Sequence, residues 1–197
     1  MSPGAARMRT MSCTPRRVFR LVLALSAAAG CASAAHAGDP PLSLGAVYGY
    51  GDRANVYGVQ VAWAPRFDSD LLERNDLDLR FSGQVARWLA RANQVEHGSL
   101  TDSCIMTELR YRLSRTEPNR PFVEIGLGLH LISHVQISTR NLGTAFDFGT
   151  QVAAGFTYGE NGRYELAALI SHASNGSIKY PNDGFTYGAI RFRVALP

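Results

Sequence analysis

From residue 42 onward, apolar and polar residues alternate in runs of about ten, separated by short polar or turn-rich stretches. No run is apolar for long enough to cross a bilayer as a helix. Alternation sends every second side chain to the same face of a strand. Leu77, Leu79, Phe81 and Val85 share one face, with Asp78, Arg80, Ser82 and Gln84 on the other. Val123, Ile125, Leu127, Leu129 and Leu131 oppose Phe122, Glu124, Gly126, Gly128 and His130. Phe146, Phe148, Val152, Ala154, Phe156 and Tyr158 oppose Asp147, Gly149, Gln151 and Gly155. Eight such segments lie near 42–50, 55–65, 75–90, 100–115, 121–134, 144–158, 162–175 and 185–196. The breaks carry turn residues, as in Glu117-Pro118-Asn119, Gly159-Glu160-Asn161-Gly162 and Pro181-Asn182-Asp183-Gly184.

A soluble barrel or sandwich also alternates. Here the apolar rows are long and lack charge at their centres. Aromatic residues recur near segment ends (Tyr48, Tyr50, Trp63, Phe67, Trp88, Tyr111, Tyr158, Tyr187), as an interfacial girdle requires. The expected fold is all-β, an eight-stranded antiparallel transmembrane β-barrel of the bacterial outer membrane. So small a barrel is filled by its own side chains and is not a pore. Arg191 and Arg193 have interior parity and are expected to pair with buried acids. His130 is expected to be a satisfied interior group, His97 to lie in a loop and His134 at a strand end.

Residues 1–37 read as a signal peptide. Arg16, Arg17 and Arg20 precede the short apolar run from Leu21 to Ala29, and Ala35-His36-Ala37 fits the cleavage site. Ala28-Ala29-Gly30-Cys31 lacks the leucine-like residue that a lipoprotein signal carries three positions before its cysteine. Five of the 20 basic residues and none of the 16 acidic ones precede Gly38, so residues 38–197 balance at −1. The overall charge of +4 is thus no argument for nucleic-acid binding. Cys104 is the one cysteine after residue 37, which excludes an internal disulfide in that domain and disfavours a zinc–cysteine site.

The chemistry concentrates in Ile170-Ser171-His172-Ala173-Ser174-Asn175-Gly176. His172 and Ser174, two residues apart on a strand, point the same way with Cα atoms roughly 6.5–7 Å apart. They continue the apolar row of Leu166, Ala168 and Ile170, which in a barrel faces lipid. With both termini in the periplasm, the seventh strand ends at the cell surface, placing the pair at the outer leaflet. Neutral His172 can take the Ser174 proton, and Asn175, Asn182 and backbone N–H groups around Gly176 can donate to an oxyanion. A histidine and a serine at a strand end also occur as plain interfacial polar residues.

The run His172-Ala-Ser174-Asn175-Gly-Ser-Ile-Lys179-Tyr-Pro181-Asn182-Asp183-Gly184 resembles the C-terminal signature of the lipid A 3-O-deacylase (PagL) family. The resemblance implies an eight-stranded outer-membrane barrel with a serine–histidine site on its lipid-facing wall. It implies an esterase that removes the 3-position acyl chain, a 3-hydroxy fatty acid, from lipid A of lipopolysaccharide, with no metal and no cofactor. Ser174 then resembles the nucleophile, His172 the base, and Asn182 with backbone near Gly176 the oxyanion donors; Asn175 matches the motif. The family's better-known pattern has a glutamate two residues after the Asp-Gly pair, where this chain has Thr186. Parity with Ile190, Phe192 and Val194 sends Thr186 outward beside His172, so Thr186 is expected to orient the base. Asp183 is the nearest acid in sequence that could substitute. Lys179 stands in the surface loop as a solvated cation or a lipid A phosphate contact. Expected partners are lipopolysaccharide and outer-membrane lipids, with a homodimer possible and no nucleic acid. The alternatives are a non-catalytic small barrel serving as adhesin or structural protein, and an outer-membrane phospholipase.

Overall fold

The computed structural model describes residues 42–67, 69–91, 98–114 and 119–197. The expected signal peptide, residues 1–37, together with His97 and Glu117-Pro118, lies outside the described residues.

Eight long strands close into one antiparallel barrel. They are β1 (Leu42–Gly51), β2 (Ala54–Trp63), β3 (Leu77–Ala90), β4 (Ser99–Arg112), β5 (Arg120–Ile132), β8 (Phe146–Tyr158), β9 (Tyr164–Ser174) and β10 (Phe185–Ala195). Each pairs with its sequence neighbour among these eight, and β1 closes on β10 from Ser43↔Ala195 to Tyr50↔Gly188. A short helix, α1 (Asp70–Arg74), joins β2 to β3. A two-residue-per-strand hairpin, β6 (Gln136–Ile137) and β7 (Arg140–Asn141), lies within the β5–β8 connection. The alternation does not foretell this hairpin, because two-residue strands carry no apolar row.

The outer wall is built from the apolar rows. Ile105, Ile125, Leu127, Leu131, Val152, Ile170 and Ile190 are all more than half exposed. The opposite parity fills the interior, which has two zones. At the end where β1 begins and β10 ends, three carboxylates and four guanidinium groups interlock. Glu165 meets Arg80 at 3.0 Å, Arg110 at 2.8 Å, Arg191 at 3.0 Å and Arg193 at 3.5 Å. Glu124 joins Arg110 (2.7 Å) to Arg191 (2.8 Å), and Glu108 holds Arg193 at 2.8 Å. Arg191 and Arg193 thus pair as their parity predicts.

At the other end the interior is aromatic. Trp88 stacks on Phe185 at 4.0 Å between centroids, with Tyr187 against both. This corrects the girdle reading for Trp88 and Tyr187, which are 0% and 3% exposed. Residue type suggested an interface, but Trp88 shares the parity of Ser82 and Ala86 and Tyr187 that of Arg191, so the pleat turns both inward. Tyr48, Tyr50, Trp63, Phe67 and Tyr111 do lie exposed on the wall. Beside the aromatic zone, His130 bonds Asp102 through Nδ1 (2.9 Å) and approaches Cys104 Sγ through Nε2 (3.4 Å).

Candidate active site

Strand β9 lies between β8 and β10, and its last residues form the rim of the barrel away from the chain termini. Glu165, Ala167, Leu169, Ser171 and Ala173 point inward; Leu166, Ala168, Ile170 and His172 point outward, with Ser174 half-buried on the same outer face. In register, His172 stands between Thr150 on β8 and Thr186 on β10. Ser174 stands opposite Phe148. The site is therefore one row of three strands: a polar trio of Thr150, His172 and Thr186, and above it Ser174 beside the Phe148 ring.

His172 Nδ1 and Thr186 Oγ1 are hydrogen-bonded at 2.8 Å. In the tautomer that carries the proton on Nδ1, the imidazole donates to the hydroxyl oxygen, leaving the Nε2 lone pair free to act as a base. No hydrogen bond engages the Ser174 hydroxyl among the described residues; a nucleophile–base bond is often long before substrate binds. Gly184, at φ 62°, lies flat against the imidazole edge, where a Cβ would come within 2.8 Å of His172 Cε1. A side chain there would push the ring away.

The loop from Asn175 to Gly184 is tied down by Asn175, which is fully buried. Its Nδ2 donates to the carbonyls of Leu142 (2.7 Å) and Lys179 (2.8 Å), and its backbone N–H donates to Asn182 Oδ1 at 3.0 Å. Both Asn175 donors are thereby occupied, so the residue braces the loop. Asn182 spends its oxygen on that brace and keeps its Nδ2 amide as a donor. Gly176, at φ 63°, packs over Phe148, where a Cβ would be 3.3 Å from Cδ2. Its backbone N–H makes no hydrogen bond among the described residues. Lys179 is exposed.

Asp183 does not reach the histidine. Its carboxylate accepts the Asn141 N–H at 2.8 Å, and its own N–H donates to the Asn141 carbonyl at 3.1 Å. The acid beside the trio is one that sequence proximity does not suggest: Asp52, in the β1–β2 turn, accepts the Thr186 N–H at 2.8 Å. Only barrel closure brings these positions together. Phe148 and Thr150 were legible as outward residues of β8, but which β9 residues they face depends on the strand register. Among the described residues, no group of three His, Cys, Asp or Glu side chains is arranged to hold a metal ion.

A closed eight-stranded barrel with an apolar wall, carrying a hydrogen-bonded histidine and a serine on its outer face at one rim, defines a class: a small outer-membrane-type barrel. Residues 55–195 match the family described as Lipid A 3-O-deacylase (PagL), and the chain belongs to that family. It is similar to Lipid A deacylase PagL of Pseudomonas aeruginosa, 27% identical over 77 residues, which is 39% of this chain and 43% of that one. It is also similar to Lipid A deacylase PagL of Bordetella bronchiseptica, 35% identical over 65 residues, or 33% of this chain and 35% of the relative. The alignments thus span less than half the length of either relative. In fold it is similar to the crystal structure of the outer membrane enzyme PagL, with a TM-score of 0.67 and 18% identity over 77% of this chain and 98% of that one. Neisserial surface protein A gives a TM-score of 0.50 and 14% identity over 79% of this chain and 94% of the other.

Proposed function

We propose that the chain, after loss of residues 1–37 as a signal peptide, is an outer-membrane esterase that removes the ester-linked 3-position acyl chain from lipid A. The observation that carries this reading is the His172–Thr186 bond on the outer wall, beside a serine of the same parity, in a chain of the lipid A 3-O-deacylase family. An interior site would meet no lipid. A site on the wall at the rim opposite the termini meets acyl esters just where hydrocarbon gives way to headgroup, which in this orientation is the outer leaflet.

In this mechanism Ser174 Oγ attacks the ester carbonyl carbon while its proton passes to His172 Nε2. The carbonyl oxygen becomes an oxyanion, facing the free N–H of Gly176 and the Nδ2 amide of Asn182. As the intermediate collapses, the carbon–oxygen bond to the sugar breaks, and His172 returns its proton to the departing sugar hydroxyl. Water then attacks the acyl-serine, again losing a proton to His172, and the fatty acid and free Ser174 result. Thr186 holds the imidazole tautomer and ring angle throughout. The Phe148 ring supplies an apolar bed beside the serine.

Ser174→Ala and His172→Ala each remove a reacting group from the outer face at the rim, outside the packed interior, so both variants are expected to fold and to release no 3-hydroxy fatty acid. Mass spectrometry of lipid A from cells making wild type or Ser174→Ala tests this. Full deacylation by the Ser174→Ala variant overturns the assignment. Identical lipid A with and without the wild-type protein favours the non-catalytic barrel, whose specific support is the threonine at the position of the family's glutamate. Release of glycerophospholipid acyl chains instead identifies a phospholipase.

A further inference from the structure

We propose that Asp52 is a positioning residue for this site: it fixes the backbone of Thr186 and, through the threonine hydroxyl, the imidazole of His172. The inference rests on the deacylase reading and adds to it a carboxylate approaching from the far side of β10.

The ladder between β1 and β10 ends at Tyr50↔Gly188. Beyond it the chain turns through Asp52 (φ 44°) and Arg53 (φ 61°), and a side chain continues what the ladder began. Asp52 Oδ2 takes the Thr186 N–H at 2.8 Å. Gly51 permits this approach, since a Cβ there would run into the Thr186 carbonyl oxygen. The second carboxylate oxygen, Oδ1, accepts Arg140 Nη2 at 2.7 Å, and Arg140 Nη1 reaches the Asp183 carbonyl at 3.4 Å. With Asn141 holding Asp183, the run from Asp183 to Thr186 is pinned at both ends by groups from other loops. Between the pins, Phe185 is anchored inside the barrel on Trp88.

A threonine needs such a clamp more than a glutamate does. Its hydroxyl sits on Cβ with a single restricted torsion, so the backbone decides where the oxygen lies. A glutamate has three torsions and can reach an imidazole from a wider range of backbone positions. Asp52 does not touch the imidazole itself. It bonds the Thr186 backbone from the side of β10 away from β9, with Arg140 beside it balancing its charge. Its action on the base is geometric.

The test is a double-mutant cycle on lipopolysaccharide dispersed in detergent, reading release of 3-hydroxy fatty acid, with heat-modifiable gel migration as the check on folding. Asp52→Ala is expected to lower kcat about 3- to 10-fold, the effect of one hydrogen bond, with KM within about twofold. In a Thr186→Val background the same change should have no further effect, because the clamp then has nothing to hold. Asp52→Asn, which keeps an oxygen acceptor, should restore at least half the rate. Full activity in Asp52→Ala, or an equal loss in both backgrounds, overturns the proposal. A wild-type protein inactive on lipid A sinks the deacylase reading instead. The clamp is then read from imidazole 15N NMR of His172, where Asp52→Ala must weaken the preference for the Nδ1-protonated tautomer and an unchanged spectrum overturns it.

Discussion

Thr186 is the most informative residue to change, because it stands where the family pattern has a carboxylate. Thr186→Val replaces the hydroxyl with a methyl while keeping β-branching and volume, so strand β10 should pair as before. What is lost is one bond between uncharged groups, His172 Nδ1 to Thr186 Oγ1 at 2.8 Å, on the exposed wall. Such a bond contributes about 0.5–1.5 kcal/mol. At about 1.4 kcal/mol per tenfold, the rate should fall roughly 2- to 13-fold. The loss belongs in kcat, since the hydroxyl orients the base and does not bind lipid. Thr186→Glu tests the same geometry in the opposite direction. A carboxylate bonded to the imidazolium that forms during attack is worth about 1.5–3 kcal/mol. The variant should therefore match or exceed wild type, by roughly tenfold at the midpoints of the two ranges. Initial rates of fatty acid release from purified lipopolysaccharide give both numbers. If Thr186→Val is unchanged within twofold, the hydroxyl does not orient the base. If Thr186→Glu is folded and inactive, position 186 is not the orienting position.

Three further changes probe the frame around the site. Glu165→Gln removes the carboxylate shared by three buried arginines and the half-buried Arg80, and stripping one partner from such a network costs about 3–5 kcal/mol; urea unfolding in lipid bilayers should show it. Gly184→Ala adds a Cβ within 2.8 Å of His172 Cε1 and strains a left-handed backbone, so activity should fall while the folded barrel persists by heat-modifiable migration. Asp183→Asn should leave the rate within about twofold, since that carboxylate accepts the Asn141 N–H and makes no bond to the base; a large loss with intact folding would restore Asp183 as the orienting acid.

The outer wall was legible because one parity carries Leu127, Leu129 and Leu131 while the other carries Glu124 and His130. The same parity carried His172 and Thr186 outward, and the Pro181–Gly184 turn made them neighbours. Trp88 and Tyr187 show where residue type misleads: amphipathic rings suit an interface, yet the pleat assigns both to the interior, where they pack with Phe185. Asp52 was beyond reach for another reason. It lies 134 residues from Thr186 in sequence, and the two meet because the first strand pairs with the last. The β6–β7 hairpin hid likewise, since its contribution is made by single residues, Arg140 and Asn141, whose partners lie in other loops.

The two interior zones explain how polar chemistry can sit on a lipid-facing wall. A polar side chain facing hydrocarbon is costly at mid-height and less so near the rim, where water and headgroups satisfy it. His172 and Ser174 occupy the last residues of β9, so in the proposed mechanism hydrolytic water would have only a short path to the acyl-serine. The row beneath them, Leu166, Ala168 and Ile170, stays apolar and, on that reading, would leave the acyl chain in hydrocarbon. The site therefore needs no cavity. It needs a rigid edge, and the stacked Trp88 and Phe185 supply one by anchoring β10 from within while Asp52 and Arg140 hold it from above. On such an edge a hydroxyl of fixed position can orient an imidazole without a longer, charged side chain.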